Sequence, residues 1–207
     1  MNEKYPKTKG LALSASFAVF LGICSFVSIP LPTPMPPLTL QVLGVFLIAA
    51  LLGPSYGTLS CLIYLMLGAL GLPFFHGGSY GLGVLLGPTG GYLFAFPIAV
   101  LIGGSISRTV GKTMKMDTVK VSAGVAAALV IIYLLGPAWL MVFYHLTPLQ
   151  AFIAGIVPFI GFDILKGVVV VPIVVRLRST RFDLPVSRRA IKLRDSSMIS
   201  APKENIP

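Results

Sequence analysis

Long runs without ionised side chains constrain this chain more than any other feature. Residues 10–107 contain no Lys, Arg, Asp or Glu, and residues 121–175 contain only Asp163 and Lys166. Charged residues make up 11% of the sequence, against about a quarter in an average soluble domain. Since runs of this length cannot cover a water-facing surface, the pattern predicts an integral membrane protein.

Chain length limits the number of membrane crossings. A spanning helix needs about 20 apolar residues, so the 207 residues allow about six helices and short connections. Clusters of Pro and Gly divide the chain into apolar runs. Because such runs cross a membrane as helices, they predict an all-α fold. The predicted helices cover residues 11–28, 39–52, 58–70, 92–106, 121–144 and 148–177. The first of them is interpreted as a helix and not as a secretory signal, because no cleavage site followed by a polar domain is present.

The few charges predict the orientation in the membrane. They lie near the N-terminus, in a loop at residues 108–120 and in the tail after residue 175, and all three segments are net basic. Basic segments stay on the cytoplasmic side. The expected organisation is a cytoplasmic N-terminus at residues 1–9, one six-helix transmembrane domain at residues 10–178, and a basic cytoplasmic tail at residues 179–207 that contacts anionic membrane lipid.

Asp163 and Lys166 are the two charges inside the last predicted helix. An ion at the bilayer centre costs about 2.5–3.5 kcal/mol on insertion scales, so something must offset it. Being three residues apart, the two side chains share one helix face and can neutralise each other. The alternative is that they line an outward-facing cavity and bind a polar ligand. The Pro-rich loop at residues 29–37 and the Gly-rich loop at residues 71–91 carry no full charge and fall on the outer side in this topology. Their position beside the pair favours the second alternative.

Three segments resemble the hallmark segments of the BioY family, the biotin-capturing S components of energy-coupling factor (ECF) vitamin transporters. They are PPLTLQVLGVFLIAALLGP at 36–54, GLPFFHGGSYGLGVLLGPTGGYL at 71–93 and PFIGFDILKG at 158–167. The likeness covers residues 11–178 in the family's order and spacing. It implies an S-component bundle with both termini in the cytoplasm, in the plasma membrane of a prokaryote.

The resemblance also implies a binding site for biotin. Biotin carries a cyclic urea with two N–H donors and a carbonyl, an apolar ring and a tail ending in a carboxylate. Asp163 can accept from the urea, and Lys166 can donate to an oxygen of the ligand. The remaining candidate contacts from the loops are Gln41, Phe75, His76, Ser79, Tyr80 and Tyr92. For each of these, packing is an equal alternative. The family's Pro-rich first loop is a lid, which corresponds to residues 30–37.

The sequence predicts no ATP hydrolysis by this chain, because GPTGG at residues 87–91 lacks the Lys and Ser/Thr of a Walker A loop. The resemblance implies an ECF coupling subunit and two ATPase subunits as partners. Ser14, Ala18 and Gly22 form a small-residue stripe that allows close approach of another helix, with internal packing as the alternative. The family's A-x-x-x-A docking motif falls on Ala15, with Val19 at its second position.

Other functions fit the residues less well. An aspartyl intramembrane protease needs two facing carboxylates, and only one acid lies in the predicted spans, so no enzyme activity is expected. Cys24 and Cys61 lack metal-ligand spacing, and no metal or cofactor is predicted. The net charge of +10 is spread over membrane-flanking segments, which argues against nucleic acid. An S component for thiamine or riboflavin remains as an alternative.

Overall fold

The computed structural model describes residues 7–108 and 113–179, which form a bundle of helices. The helices are α1 (Lys7–Phe26), α2 (Gln41–Ala69), α3 (Leu82–Leu85), α4 (Gly90–Ser107), α5 (Met114–Tyr144), α6 (Pro148–Gly155) and α7 (Val157–Ser179). Two short antiparallel strands, β1 (Ser28–Ile29) and β2 (Leu38–Thr39), close the Pro-rich loop. The predicted tail lies outside the described residues except for Ser179.

Five of the described helices, α1, α2, α4, α5 and α7, are long and apolar enough to cross a membrane. The chain is therefore a multi-pass membrane protein with an all-helical core. Most of its exposed surface on these helices is aliphatic or aromatic, as expected where lipid replaces water.

Helix α2 folds back on itself. The Gln41 Nε2 donates to the Tyr64 hydroxyl at 2.6 Å, although the two residues are 23 positions apart. At a rise of about 1.5 Å per residue, a straight helix would separate them by about 34 Å. The reversal is at Gly53, whose φ of 72° and ψ of −169° are non-helical. The two arms correspond to the separate helices predicted for residues 39–52 and 58–70.

The sequence at the reversal explains why α2 breaks there. A positive φ favours glycine at position 53, and Pro54 has no N–H to donate to the Ala50 carbonyl. The Arg178 guanidinium from α7 donates to that carbonyl instead. A cation at the end of a helical arm also interacts favourably with the helix dipole.

Arg178 has a second partner at the same end of the bundle. Its Nη1 donates to Asp117 Oδ1 at 3.0 Å, and both side chains are buried. Asp117 lies in the first turn of α5, which begins at Met114, seven residues before the predicted start at 121. The pair therefore joins α5, α7 and the first arm of α2. We call this end of the bundle the Arg178 end, and the opposite end the cavity end.

The last predicted helix, residues 148–177, is divided in the structure. It consists of α6 and α7, with non-helical backbone at Ile156 (φ −125°, ψ −52°). Pro158 accounts for the break, because its ring cannot pack against the carbonyl four residues earlier in a continuous helix. Thr147 and Gln150 form a capping box that begins α6.

Residues 71–89 contain no long helix, as the Gly content predicts. The segment contains a 3-10 turn at His76–Gly78 and the short α3. Glycines with positive φ lie before the turn (71), within it (77 and 78) and between it and α3 (81). This segment lies at the cavity end, where the Phe75 carbonyl accepts from Ser25 of α1. Trp139 of α5 donates its indole N–H to the Gly87 carbonyl and thereby ties the segment to the bundle.

The small-residue stripe of α1 faces the interior of the bundle. Ser14 and Ala18 are fully buried, and Ser14 donates to the Tyr56 carbonyl on α2. Gly22 is buried against the Phe74 ring, which a Cβ would meet at 3.0 Å. For these three residues the structure favours the internal-packing alternative, because their close contacts are with other segments of the same chain. Docking of a partner helix on them stays a prediction. Ala15 is exposed.

We predict that Arg178→Met destabilises the protein by roughly 3–5 kcal/mol, the usual cost of removing one partner of a buried ion pair. Asp117 would be left as an unpaired buried carboxylate, and the Ala50 carbonyl would lose its donor. Apparent melting temperature and denaturant unfolding in detergent measure the change. Arg176→Met is the matched control, since Arg176 is exposed on the same helix. Equal stability of the two variants would contradict this role for Arg178.

Candidate ligand-binding site

A cavity of about 540 Å³, part of it open to solvent, lies at the cavity end of the bundle. Its walls come from the Pro-rich loop, the start of α2, the 3-10 turn, α4, α5 and α7. The lining residues are Pro36, Pro37, Thr39, Gln41, Val42, His76, Thr89, Tyr92, Leu93, Phe96, Ile132, Tyr133, Phe159, Asp163 and Lys166.

Asp163 and Lys166 form an ion pair in the wall of this cavity. The Lys166 ammonium donates to Asp163 Oδ1 at 2.7 Å, and both residues are almost completely buried. The spacing of three residues on α7 places them on one face, as predicted. The two alternatives for this pair are compatible in the structure, because the side chains neutralise each other and also line the cavity.

Lys166 also connects α7 to the base of the Pro-rich loop. Its ammonium donates to the Thr39 main-chain carbonyl at 2.7 Å. The Thr39 hydroxyl in turn donates to Gln41 Oε1 at 3.0 Å, and the side-chain Nε2 of Gln41 donates to the Tyr64 hydroxyl. One network of hydrogen bonds thus runs from the charged pair to the first residue of α2.

Two tyrosines complete the polar wall around Asp163. The Tyr133 hydroxyl donates to Asp163 Oδ2 at 2.7 Å. The Tyr92 hydroxyl donates to the Gly155 carbonyl at 2.9 Å, next to the break between α6 and α7. Tyr92 therefore stabilises the backbone where the helix is interrupted, and its ring forms part of the cavity wall.

His76 lies in the 3-10 turn over the cavity. Its partial burial lowers the pKa of the imidazole from the usual value of about 6.5, so the ring is neutral at pH 7. A neutral imidazole offers one donor and one acceptor. Phe96, Ile132 and Phe159 supply apolar surface on the other walls. The site can therefore hold a ligand that has both an apolar body and polar ends.

Five of the eight predicted contact residues line the cavity: Asp163, Lys166, Gln41, His76 and Tyr92. The other three do not. Phe75 is fully buried in the core, where its ring packs edge-to-face on Tyr64 at 5.6 Å. Ser79 donates to the His76 carbonyl, and Tyr80 is 62% exposed. Ligand contact by these three stays a prediction.

Tyr133 was missed by the sequence analysis, as were the apolar walls Phe96, Ile132 and Phe159. A signal for Tyr133 exists in retrospect, because its hydroxyl lies inside a long apolar run of α5 and needs a partner there. No comparable signal marks the phenylalanines and the isoleucine. Which apolar side chains face a cavity depends on how the helices are rotated in the bundle.

No group of His, Cys, Asp and Glu that can hold a metal ion occurs among residues 7–108 and 113–179. Cys24 and Cys61 are buried free thiols. The polar chemistry of the described cavity therefore comes from hydrogen-bonding groups and from one ion pair.

A family model for BioY matches residues 1–182 of the chain. The chain belongs to the BioY family. This match confirms the resemblance seen in the three sequence segments.

Several curated BioY proteins align with most of the chain. The probable biotin transporter BioY of Pyrococcus horikoshii is 42% identical over 83% of this chain and 98% of its own length. The biotin transporter BioY of Thermotoga maritima is 41% identical over 78% of this chain and 91% of its own length. The aligned regions thus include nearly all of each relative.

The fold is similar to that of a solved S component. The S component for biotin from an ECF-type ABC transporter superposes with a TM-score of 0.73 and is 30% identical. The alignment covers 84% of this chain and 93% of the solved one. The helical architecture described above is therefore an ECF S-component fold.

We predict that Gly136→Ala destabilises this BioY protein, while Gly161→Ala does not. A Cβ at position 136 would lie 2.3 Å from the Tyr92 ring, and one at position 161 would meet nothing within 4 Å. Overpacking costs about 1–3 kcal/mol, whereas alanine in an open helical position is favourable by up to about 1 kcal/mol. Melting temperatures in detergent compare the two variants. Equal melting temperatures for Gly136→Ala and Gly161→Ala would contradict the prediction, because they would show that the Tyr92 ring can move away from a Cβ at position 136.

Proposed function

We propose that this protein captures biotin at the outer face of the cell membrane and mediates its uptake as the S component of an ECF transporter. The cavity containing the Asp163–Lys166 pair is the observation that carries the proposal. Its location in a chain of the BioY family, whose relatives are described as biotin transporters, supports biotin as the ligand.

The groups in the cavity are suited to the two kinds of surface on biotin. Asp163 is an acceptor and can bind the urea N–H groups, while Lys166 has one N–H left to donate to an oxygen of the ligand. Two of its three N–H groups already bond Asp163 and Thr39. The apolar ring and aliphatic tail of biotin fit against Phe96, Ile132 and Phe159.

The proposed topology has six passes with both termini in the cytoplasm. The two arms of α2 each count as one pass in this arrangement, next to α1, α4, α5 and α7. The basic segments at the Arg178 end then face the cytoplasm. The cavity end faces outward, and the basic tail after residue 179 contacts anionic lipid. The Pro-rich loop, with Pro36 and Pro37 in the cavity lining, forms the lid over the ligand.

Transport requires partner subunits in this proposal. An ECF coupling subunit and two ATPase subunits would supply the energy, since the chain contains no Walker A motif. The relatives are transporters, so neither enzyme activity nor a cofactor is part of the proposed function. The exposed face of α1 that contains Ala15 is the proposed docking surface.

Thiamine or riboflavin would be the ligand in the alternative function. The family match to BioY favours biotin over both.

Biotin is expected to bind tightly to the purified protein, and Asp163→Asn or Lys166→Met to weaken binding by at least about thirtyfold. Removing one member of a buried, hydrogen-bonded charge pair typically costs about 2–5 kcal/mol. Calorimetric titration measures the affinity, with fluorescence of the single Trp139 as a second signal.

Lys115→Met is the matched control for this experiment, because Lys115 is exposed on α5 near the Arg178 end. Thiamine and riboflavin are titrated in parallel. Tight binding of either vitamin in place of biotin would establish the alternative. Unchanged biotin affinity in both site variants would reject the assignment of the pair.

For the partner proposal, Ala15→Trp is expected to reduce severalfold the amount of coupling subunit that co-purifies with this protein in detergent. A bulky side chain prevents the close helix approach that a small residue permits. Val130→Trp on α5 is the control, since Val130 is 56% exposed and lies outside α1. If Ala15→Trp retains the coupling subunit as well as Val130→Trp does, docking through this face of α1 is wrong.

A further inference from the structure

Tyr133 makes a contact that the charged pair does not require for neutrality. Its hydroxyl donates to Asp163 Oδ2 at 2.7 Å, while Lys166 donates to Oδ1 at the same distance. The charge of Asp163 is already balanced by Lys166 one turn along the same helix. The contribution of Tyr133 is therefore a second hydrogen bond to the carboxylate and not charge compensation.

A second donor from a different helix fixes the plane of the carboxylate. Rotation about the terminal torsion of an aspartate is broad and only weakly restricted by its own backbone. Lys166 alone holds one oxygen, and its long side chain can follow the carboxylate as it turns. With Tyr133 of α5 on the other oxygen, donors from two helices define a single orientation.

Neither Tyr92 of the cavity wall nor Tyr64 of the neighbouring core is placed to replace this donor. Tyr92 lies near Asp163, but its hydroxyl donates to the Gly155 carbonyl. The Tyr64 hydroxyl accepts from Gln41 and is fully buried in the core. The contact with Asp163 is thus specific to Tyr133.

The free acceptor capacity of Asp163 is directed to the cavity. An ionised carboxylate has about four lone-pair sites, and Tyr133 and Lys166 occupy two of them. Since Asp163 is 3% exposed and lines the cavity, a ligand donor can reach the remaining sites only from that space. The orientation of the carboxylate therefore decides whether the ligand meets a well-aligned acceptor.

We propose that Tyr133 is a positioning residue for ligand binding: it holds the Asp163 carboxylate, before the ligand arrives, in the orientation that receives a ligand donor. The benefit is pre-organisation, because a site that is ordered in advance loses less entropy on binding. This inference rests on the proposed function, since biotin is the ligand with which it is tested.

Tyr133→Phe is expected to weaken biotin binding about tenfold or more, as expected for a lost hydrogen bond to a charged group. The substitution removes one oxygen and keeps the ring. Tyr144→Phe is the matched control, because Tyr144 is on the same helix and outside the cavity lining. Calorimetric titration of both variants gives the comparison.

A double-mutant cycle separates positioning from a general structural role. In an Asp163→Ala background there is no carboxylate to orient, so Tyr133→Phe should cause no further loss of affinity. If Tyr133→Phe weakens binding by the same factor in both backgrounds, Tyr133 does not act through Asp163 and the proposal is overturned.

Melting temperatures in detergent check that Tyr133→Phe is folded as well as Tyr144→Phe is, so that a difference in affinity between them reports on the site. Wild-type protein that fails to bind biotin refutes the proposed function itself. Wild-type binding with undiminished affinity in Tyr133→Phe refutes only the role of Tyr133.

Discussion

Main-chain carbonyls that are released where a membrane helix breaks must find a donor within the protein, because lipid supplies none. This constraint organises the described structure. At several interruptions, and at the strand before α2, a side chain from a distant helix donates to a main-chain carbonyl. The contacts are Arg178 to Ala50, Tyr92 to Gly155, Trp139 to Gly87 and Lys166 to Thr39. These few polar contacts tie together helices whose other contacts are mostly apolar.

The binding site follows from the same constraint. Breaks at the start of α2, before α4 and between α6 and α7 leave space and polar groups at one end of the bundle. Lys166 serves both the strand before α2 and the site, because its ammonium donates to the Thr39 carbonyl and to Asp163. A ligand that competes for this ammonium also affects the base of the Pro-rich loop. The loop and the charged pair are therefore physically coupled.

The two ends of the bundle use buried charge differently. At the Arg178 end, Asp117 and a main-chain carbonyl accept from one guanidinium inside closely packed helices. At the cavity end, the Asp163–Lys166 pair borders a cavity and keeps free hydrogen-bonding capacity. A buried pair contributes little net stability by itself. Its location decides whether it joins helices or can also bind a ligand.

The sequence alone determined the membrane environment, the positions of most helix breaks and the pairing of Asp163 with Lys166. These features depend on local composition, on Pro and Gly chemistry and on a helical spacing of three residues. Tertiary structure decided that Arg178 is buried with Asp117, that Tyr133 contacts Asp163 and that the stripe at Ser14 faces inward. Those contacts join residues up to 61 positions apart, and their formation depends on the rotation of each helix about its axis, which no local pattern specifies.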